Sequence, residues 1–158
     1  MSPFAARITL SSPDQTTAFA ERLGARLQPG DVLLLDGPIG AGKTHFARSL
    51  IQSRMAYPED VPSPTFTLVQ MYETDTCEIW HADLYRLSMP DEVVELGLTE
   101  AFDNAICLVE WPDRLGDLAP ADALRLEFTQ GKDENEREVA LTWTCGKWAE
   151  RLKGAFDD

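Results

Sequence analysis

Apolar positions recur along this chain at two spacings, one helical and one strand-like. Arg7 to Leu10 reads as a short first strand. Ser12-Pro13-Asp14-Gln15 then starts a helix: serine caps, proline takes the first turn and Gln15 completes a capping box. Phe19, Ala20, Leu23 and Leu27 continue that helix on one face, and "QPGD" ends it. Asp31 to Asp36 is a strand whose run Val32 to Leu35 is apolar throughout, and Phe46, Ala47, Leu50 and Ile51 mark a second helix. "AYPEDVPSP" is a rigid connector. Thr65 to Glu73 and Cys77 to Asp83 read as strands, and "SMPDEVVELGL" carries a helix start with proline and two acids in its first turn. Ala105 to Val109 is a fully apolar strand running into Glu110, and "WPDRLGDLAP" is a loop or short helix. Leu124 to Thr129 and Glu138 to Thr144, joined by "QGKDENER", form an antiparallel hairpin at the sheet edge, before a terminal helix over Cys145 to Leu152. The order predicts an α/β three-layer sandwich: a mixed sheet, parallel in its centre, with helices on both faces.

The 158 residues suffice for one domain with a sizeable core, and a single domain over 1–158 is expected. No apolar run approaches the roughly 18 residues that span a bilayer. "MSPFAARITL" has neither a long apolar core nor a cleavage signal, so no export and no membrane association is expected. Cys77, Cys107 and Cys145 have no metal-type spacing and fit reduced thiols in a cytoplasmic protein. Net charge is −13, from 14 basic and 27 acidic residues, and no basic run occurs. A protein that grips nucleic acid by itself needs a basic face, so autonomous binding of that kind is not expected. An anionic ligand would have to be held by local features.

Those features lie in "GPIGAGKTHFAR", residues 37 to 48. Gly37, four residues, Gly42, Lys43 and Thr44 match the phosphate-binding loop, and strand, glycine loop and helix is the context such a loop requires. Gly37, Gly40 and Gly42 free the backbone to bring amides close to phosphate oxygens as an anion nest. The helix starting near Lys43 adds its positive end. Lys43 reaches the β- and γ-phosphates, and the Thr44 hydroxyl ligates Mg²⁺.

A P-loop NTPase also needs an acid on a neighbouring strand. Two strands end on one, "EIWHAD" at Asp83 and "ICLVE" at Glu110. The order of residues does not decide between them; the reading adopted gives the metal to Glu110 and a metal-linked or water-orienting role to Asp83. "PSPTFT" either is a switch that orders on γ-phosphate and Mg²⁺ or is a stiff connector. His45 and His81 are too few for a three-histidine zinc site, and His81 reads as a packed or hydrogen-bonded strand residue. Arg86 pairs an acid in preference to a phosphate, and Trp111 either stacks near the site or fills the core. The Asn-Lys-x-Asp element of guanine readers is missing from the sequence, which favours ATP.

Taken together, "GPIGAGKTHF", "SPTFTLV", "HADLYRL" and "ICLVEWPDR", in this order and spacing, resemble the bacterial TsaE (YjeE) family, small ATPases needed to make threonylcarbamoyladenosine in tRNA. The resemblance runs from about Ser12 to the terminal helix. It implies that Gly40, Ala41, Gly42, Lys43, Thr44 and His45 line the triphosphate and that Thr44 and Glu110 hold Mg²⁺. It further implies that Asp83 is the essential acid near the γ-phosphate, that Ser63, Pro64, Thr65 and Thr67 belong to a switch-like loop, and that Asp14 lies near the nucleotide. His45 stands where the family usually has a second threonine, and Pro38 is less usual. In that family the transfer itself is done by TsaD, held by TsaB, and the TsaE-like member supplies the ATP hydrolysis that resets the assembly. Weak basal hydrolysis, stimulation by these partners and contact with tRNA only through the complex are therefore expected. The alternative is a small P-loop kinase acting on a metabolite, but Arg114 and Arg125 are too scattered to make its usual lid. A nucleotide-gated binding module with negligible hydrolysis is the third reading.

Overall fold

The computed structural model describes residues 4–38, 42–55, 69–74, 77–85, 91–132 and 136–156. Among the described residues seven strands form one sheet: β1 (Phe4–Leu10), β2 (Val32–Asp36), β3 (Val69–Glu73), β4 (Glu78–Asp83), β5 (Ile106–Glu110), β6 (Leu124–Gln130) and β7 (Arg137–Trp143), in the spatial order β1-β7-β6-β2-β5-β4-β3. β6, β2, β5 and β4 run parallel in the middle, and β7, β1 and β3 are antiparallel to their neighbours. The helices are α1 (Pro13–Gly24), α2 (Lys43–Arg54), α3 (Asp91–Glu95), α4 (Leu98–Asn104) and α5 (Lys147–Phe156), with a short 3₁₀ segment at Pro112–Leu118. Among the described residues no helix is long and apolar enough to cross a membrane.

The apolar run of β2 has a simple cause. Leu33 and Leu35 point into one core, with Phe19 and Leu23 of α1, Phe46 and Leu50 of α2 and Trp148 of α5. Val32 and Leu34 point into the other, with Leu98 and Phe102 of α4 and Leu115. In β5, Ile106 and Leu108 join the first core while Cys107 and Val109 join the second. A strand covered on both faces has no polar alternation to show. Burial of Cys107 pushes its thiol up to about 12.

Local signals fix the helix ends. Ser12 Oγ accepts from Gln15 N at 3.3 Å, and Gln15 Oε1 accepts from Ser11 N at 2.7 Å, one residue earlier than a standard capping box. At the other end of the chain α5 is anchored by the buried Asp31. Its carboxylate accepts from Arg151 Nε at 2.7 Å, Gln28 N at 2.8 Å and Lys147 Nζ at 3.0 Å.

Three details depart from the sequence reading. β1 begins at Phe4, because it pairs with β7 all the way from Phe4↔Trp143 to Leu10↔Arg137. It is the outermost strand, so the hairpin β6–β7 lies towards that edge with β1 beyond it. The helical stretch after Pro90 is two pieces, because Gly97 takes φ 85° between α3 and α4. Residues 65–68 of the expected strand Thr65–Glu73 lie outside the described residues.

Phe46 is fully buried, with ring centroids 5.7 Å from Phe19 and 5.5 Å from Phe128. Phe46→Ala is expected to destabilise the fold by about 3–5 kcal/mol. Urea unfolding followed by circular dichroism checks this, and a loss below about 1 kcal/mol would contradict the packing described.

Candidate functional site

Three parallel strands bring their carboxyl ends to one place, where ligands bind in open α/β sheets. The register sets Leu35 of β2 opposite Glu110 of β5, and Glu110 opposite Asp83 of β4. From β2 the chain turns through Gly37 at φ 136°. A Cβ at Gly37 would collide with the Phe128 carbonyl, so only glycine fits there. Asp36 stabilises the turn from both oxygens: Oδ1 accepts from Gly37 N at 2.9 Å and Oδ2 from the Arg125 guanidinium at 2.7 Å. Gly42, at φ 103°, is the N-cap of α2, and no side chain among the described residues caps this end. Helix-start amides without a side-chain acceptor, together with the helix dipole, make a place for an anion.

Lys43 is 4 % exposed, and its Nζ has no hydrogen-bond partner among the described residues. It lies 3.6 Å from the centroid of the Trp111 ring. Burial lowers the Lys43 pKa, opposed by the charges of Glu110, Asp83 and Asp36. Next to it, Thr44 Oγ1 donates to Glu110 Oε1 at 3.0 Å. Glu110 Oε2 accepts from Nε2 of the fully buried His81 at 2.7 Å. Asp83 Oδ1 accepts from Tyr85 N at 3.1 Å. Burial raises the Asp83 pKa; the Tyr85 amide opposes this, Glu110 adds to it, and His81 and Lys43 counter it.

The expected residues Gly37, Gly42, Lys43, Thr44, Asp83 and Glu110 are thus gathered at one edge of the sheet. His45 turns towards α1, where its Nε2 lies 3.0 Å from Thr17 Oγ1 and 3.2 Å from the Pro13 carbonyl, and Thr17 in turn contacts Ser49 Oγ at 3.2 Å. Asp14 is exposed in the first turn of that helix. Gly40, Ala41, Ser63, Pro64, Thr65, Thr67 and Arg86 lie outside the described residues. Arg114 is exposed on the 3₁₀ segment, and Arg125 is engaged with Asp36 and, at 3.5 Å, with Asp113. The sequence reading missed Asp36, Thr17 and Ser49, and weighed Arg125 only for a kinase lid. Asp36 was open to detection as the acid before Gly37, whereas Arg125 reaches it only through strand register, and Thr17 and Ser49 meet His45 only through the packing of α1 on α2.

A thiol-free set of one hydroxyl and two carboxylates suits a hard cation such as Mg²⁺. Thr44 and Glu110 are the side chains that could hold such a cation, and beside them an ammonium with no partner among the described residues suits a polyanion.

A glycine turn bearing a lysine between a central strand and its helix, with acids closing the next two strands on one side, β5 and β4, defines an α/β protein with its polar site at the carboxyl edge of the sheet. The chain belongs to the TsaE family: the family model described as threonylcarbamoyl adenosine biosynthesis protein TsaE matches residues 10–139. It is similar to the tRNA threonylcarbamoyladenosine biosynthesis protein TsaE of Rickettsia bellii, 37% identical over 133 residues, which are 84% of this chain and 92% of that one. The protein of that name from Bacillus subtilis is 37% identical over 132 residues, 83% of this chain and 81% of its own. Among solved structures, the crystal structure of Bacillus subtilis YdiB matches with a TM-score of 0.82 at 28% identity, covering 98% of this chain and 96% of that one.

The raised pKa of Asp83 has a consequence for stability. A carboxyl whose folded pKa exceeds its unfolded value favours the fold below the unfolded pKa, and this contribution is lost as pH rises through the folded pKa. At pH 7.5, above the range of an unfolded carboxyl, the raised pKa of the half-buried Asp83 therefore costs stability. Asp83→Asn, which keeps an oxygen for the Tyr85 amide, is expected to melt above the wild type at pH 7.5 and to lose that advantage near pH 4. Scanning calorimetry at both pH values is the check, and an equal difference at both would contradict the assignment.

Proposed function

We propose that this protein binds ATP, hydrolyses it with Mg²⁺, and so drives the TsaB–TsaD assembly that makes threonylcarbamoyladenosine in tRNA. Membership of the TsaE family supports the pathway. The observation that carries the chemistry is the buried Lys43 ammonium at the start of α2, without a partner among the described residues, beside the Thr44–Glu110 pair. Burying a cation without a partner is costly, and a polyphosphate is the ligand that removes the cost while using the helix-start amides.

Lys43 then binds the β- and γ-phosphates, and the glycine turn leaves room for their approach. Thr44 and Glu110 hold Mg²⁺, which supplies positive charge to the phosphate oxygens. Thr44 can give up its bond to Glu110 and turn an oxygen lone pair outwards, while His81 keeps the other carboxylate oxygen fixed. Asp83, on the adjoining strand, orients the attacking water. The loop containing Ser63, Pro64, Thr65 and Thr67 acts as the switch that the partners read. Adenine is the base, and the protein works in the cytoplasm, reaching tRNA through its partners. With a net charge of −13 it is better suited to a protein partner than to an RNA backbone. Arg125, held by Asp36 and Asp113, gives no support to a kinase lid.

Hydrolysis measured with and without purified TsaB and TsaD, with tRNA varied, tests the proposal. Slow basal turnover that rises several-fold with the partners is expected; no rise, with the partners shown to bind, overturns it. Lys43→Ala is expected to weaken ATP binding by roughly 10- to 100-fold by calorimetry. Asp83→Ala is expected to bind ATP but lose hydrolysis.

A further inference from the structure

Trp111 is the sole non-glycine residue at positive φ among the described residues, at φ 60° and ψ 54°. Bulky residues avoid that region, and the proline that follows pushes its predecessor towards extended backbone. The conformation is nevertheless held, with Trp111 N donating to the Leu35 carbonyl at 3.3 Å and the following Pro112 buried. It turns the indole to lie 3.6 Å from Lys43 Nζ, with the Tyr85 ring 5.0 Å from the indole.

The charge of Lys43 is surrounded by Glu110, Asp83 and Asp36, yet it bonds to none of them. Glu110 spends its oxygens on Thr44 and His81, and Asp36 spends its own on Gly37 and Arg125. One oxygen of Asp83 takes the Tyr85 amide. An ammonium free to swing would settle on Asp83 or displace Thr44 from Glu110. Either salt bridge would neutralise the lysine for phosphate and the carboxylate for its own task.

We propose that Trp111 is a positioning residue that holds the Lys43 ammonium on its ring face and off the carboxylates of Glu110 and Asp83, so that both charges stay available to the incoming ligand. The proposal rests on the polyphosphate reading of the site. A π-face suits this role, because it attracts a cation without offering a hydrogen-bond acceptor that must later be given up.

Calorimetric titration of Mg²⁺–ATP into Trp111→Leu (or Trp111→Met, should the leucine variant not fold) is expected to show affinity about tenfold below wild type. Trp111→Phe, which keeps a ring, stays within about threefold of wild type. Adding Trp111→Leu to Lys43→Met is expected to cause no further loss, because the ring then has no ammonium to hold. Wild-type affinity in the leucine variant, or an equal loss with Lys43 absent, overturns the proposal. A crystal structure of the free leucine variant decides it without nucleotide: Nζ bonded to Glu110 or Asp83 supports it, and Nζ still unpaired overturns it. Should the wild type bind no ATP, the functional reading falls, and that crystal structure still decides the role of Trp111.

Discussion

A lysine ammonium taken out of water, with carboxylates near it but bonded to none, is a high-energy arrangement. The rest of the site exists to keep it so. β2 and α2 place the lysine, and a glycine at φ 136° lets the backbone turn tightly enough to do it. Parallel pairing of β2, β5 and β4 brings Glu110 and Asp83 alongside, while His81 and Thr44 occupy the Glu110 oxygens. A pairing error of one residue would turn Glu110 to the opposite face of the sheet and leave the lysine without its neighbours.

The outer surface and the site carry opposite demands. Twenty-seven acidic residues against 14 basic ones repel anions at long range. Salt screens such repulsion beyond roughly 10 Å, whereas a desolvated ammonium and oriented amides act at contact with little screening. A small anion with a concentrated charge can still be held there, while an extended polyanion would meet the repelling surface along its whole length.

Much of this was legible in the residues themselves. The glycine spacing, Lys43 and Thr44 are a local pattern, and the strand-like stretches ending on Asp83 and Glu110 announced strands that close on acid. The boundary at Gly97 was less visible, because the helical periodicity continues across it and only the φ of one glycine divides the two pieces. β1 was read short because the strand alternates: Ala6 and Ile8 pack on the core while Arg7 and Thr9 face away, so its start carries little apolar signal. The contact of Lys43 with Trp111, the bond from His81 to Glu110 and the Arg125 clamp on Asp36 depend on which strands are neighbours and in what register. His45 was read as lining the triphosphate, and its side chain turns instead to α1, into the packing of α2 on α1.

The strand order has a temporal corollary. β2 lies between β5 and β6, and β1 pairs with β7, so the earliest strands find their neighbours only near the far end of the chain. Such distant pairings close slowly, since a long loop must be ordered before any contact repays it. During synthesis, β2 must therefore wait with both apolar sides exposed until its two flanking strands have left the ribosome. Its four-residue apolar segment then needs shielding on the nascent chain, and the glycine turn behind it is completed only when Phe128 and Arg125 arrive.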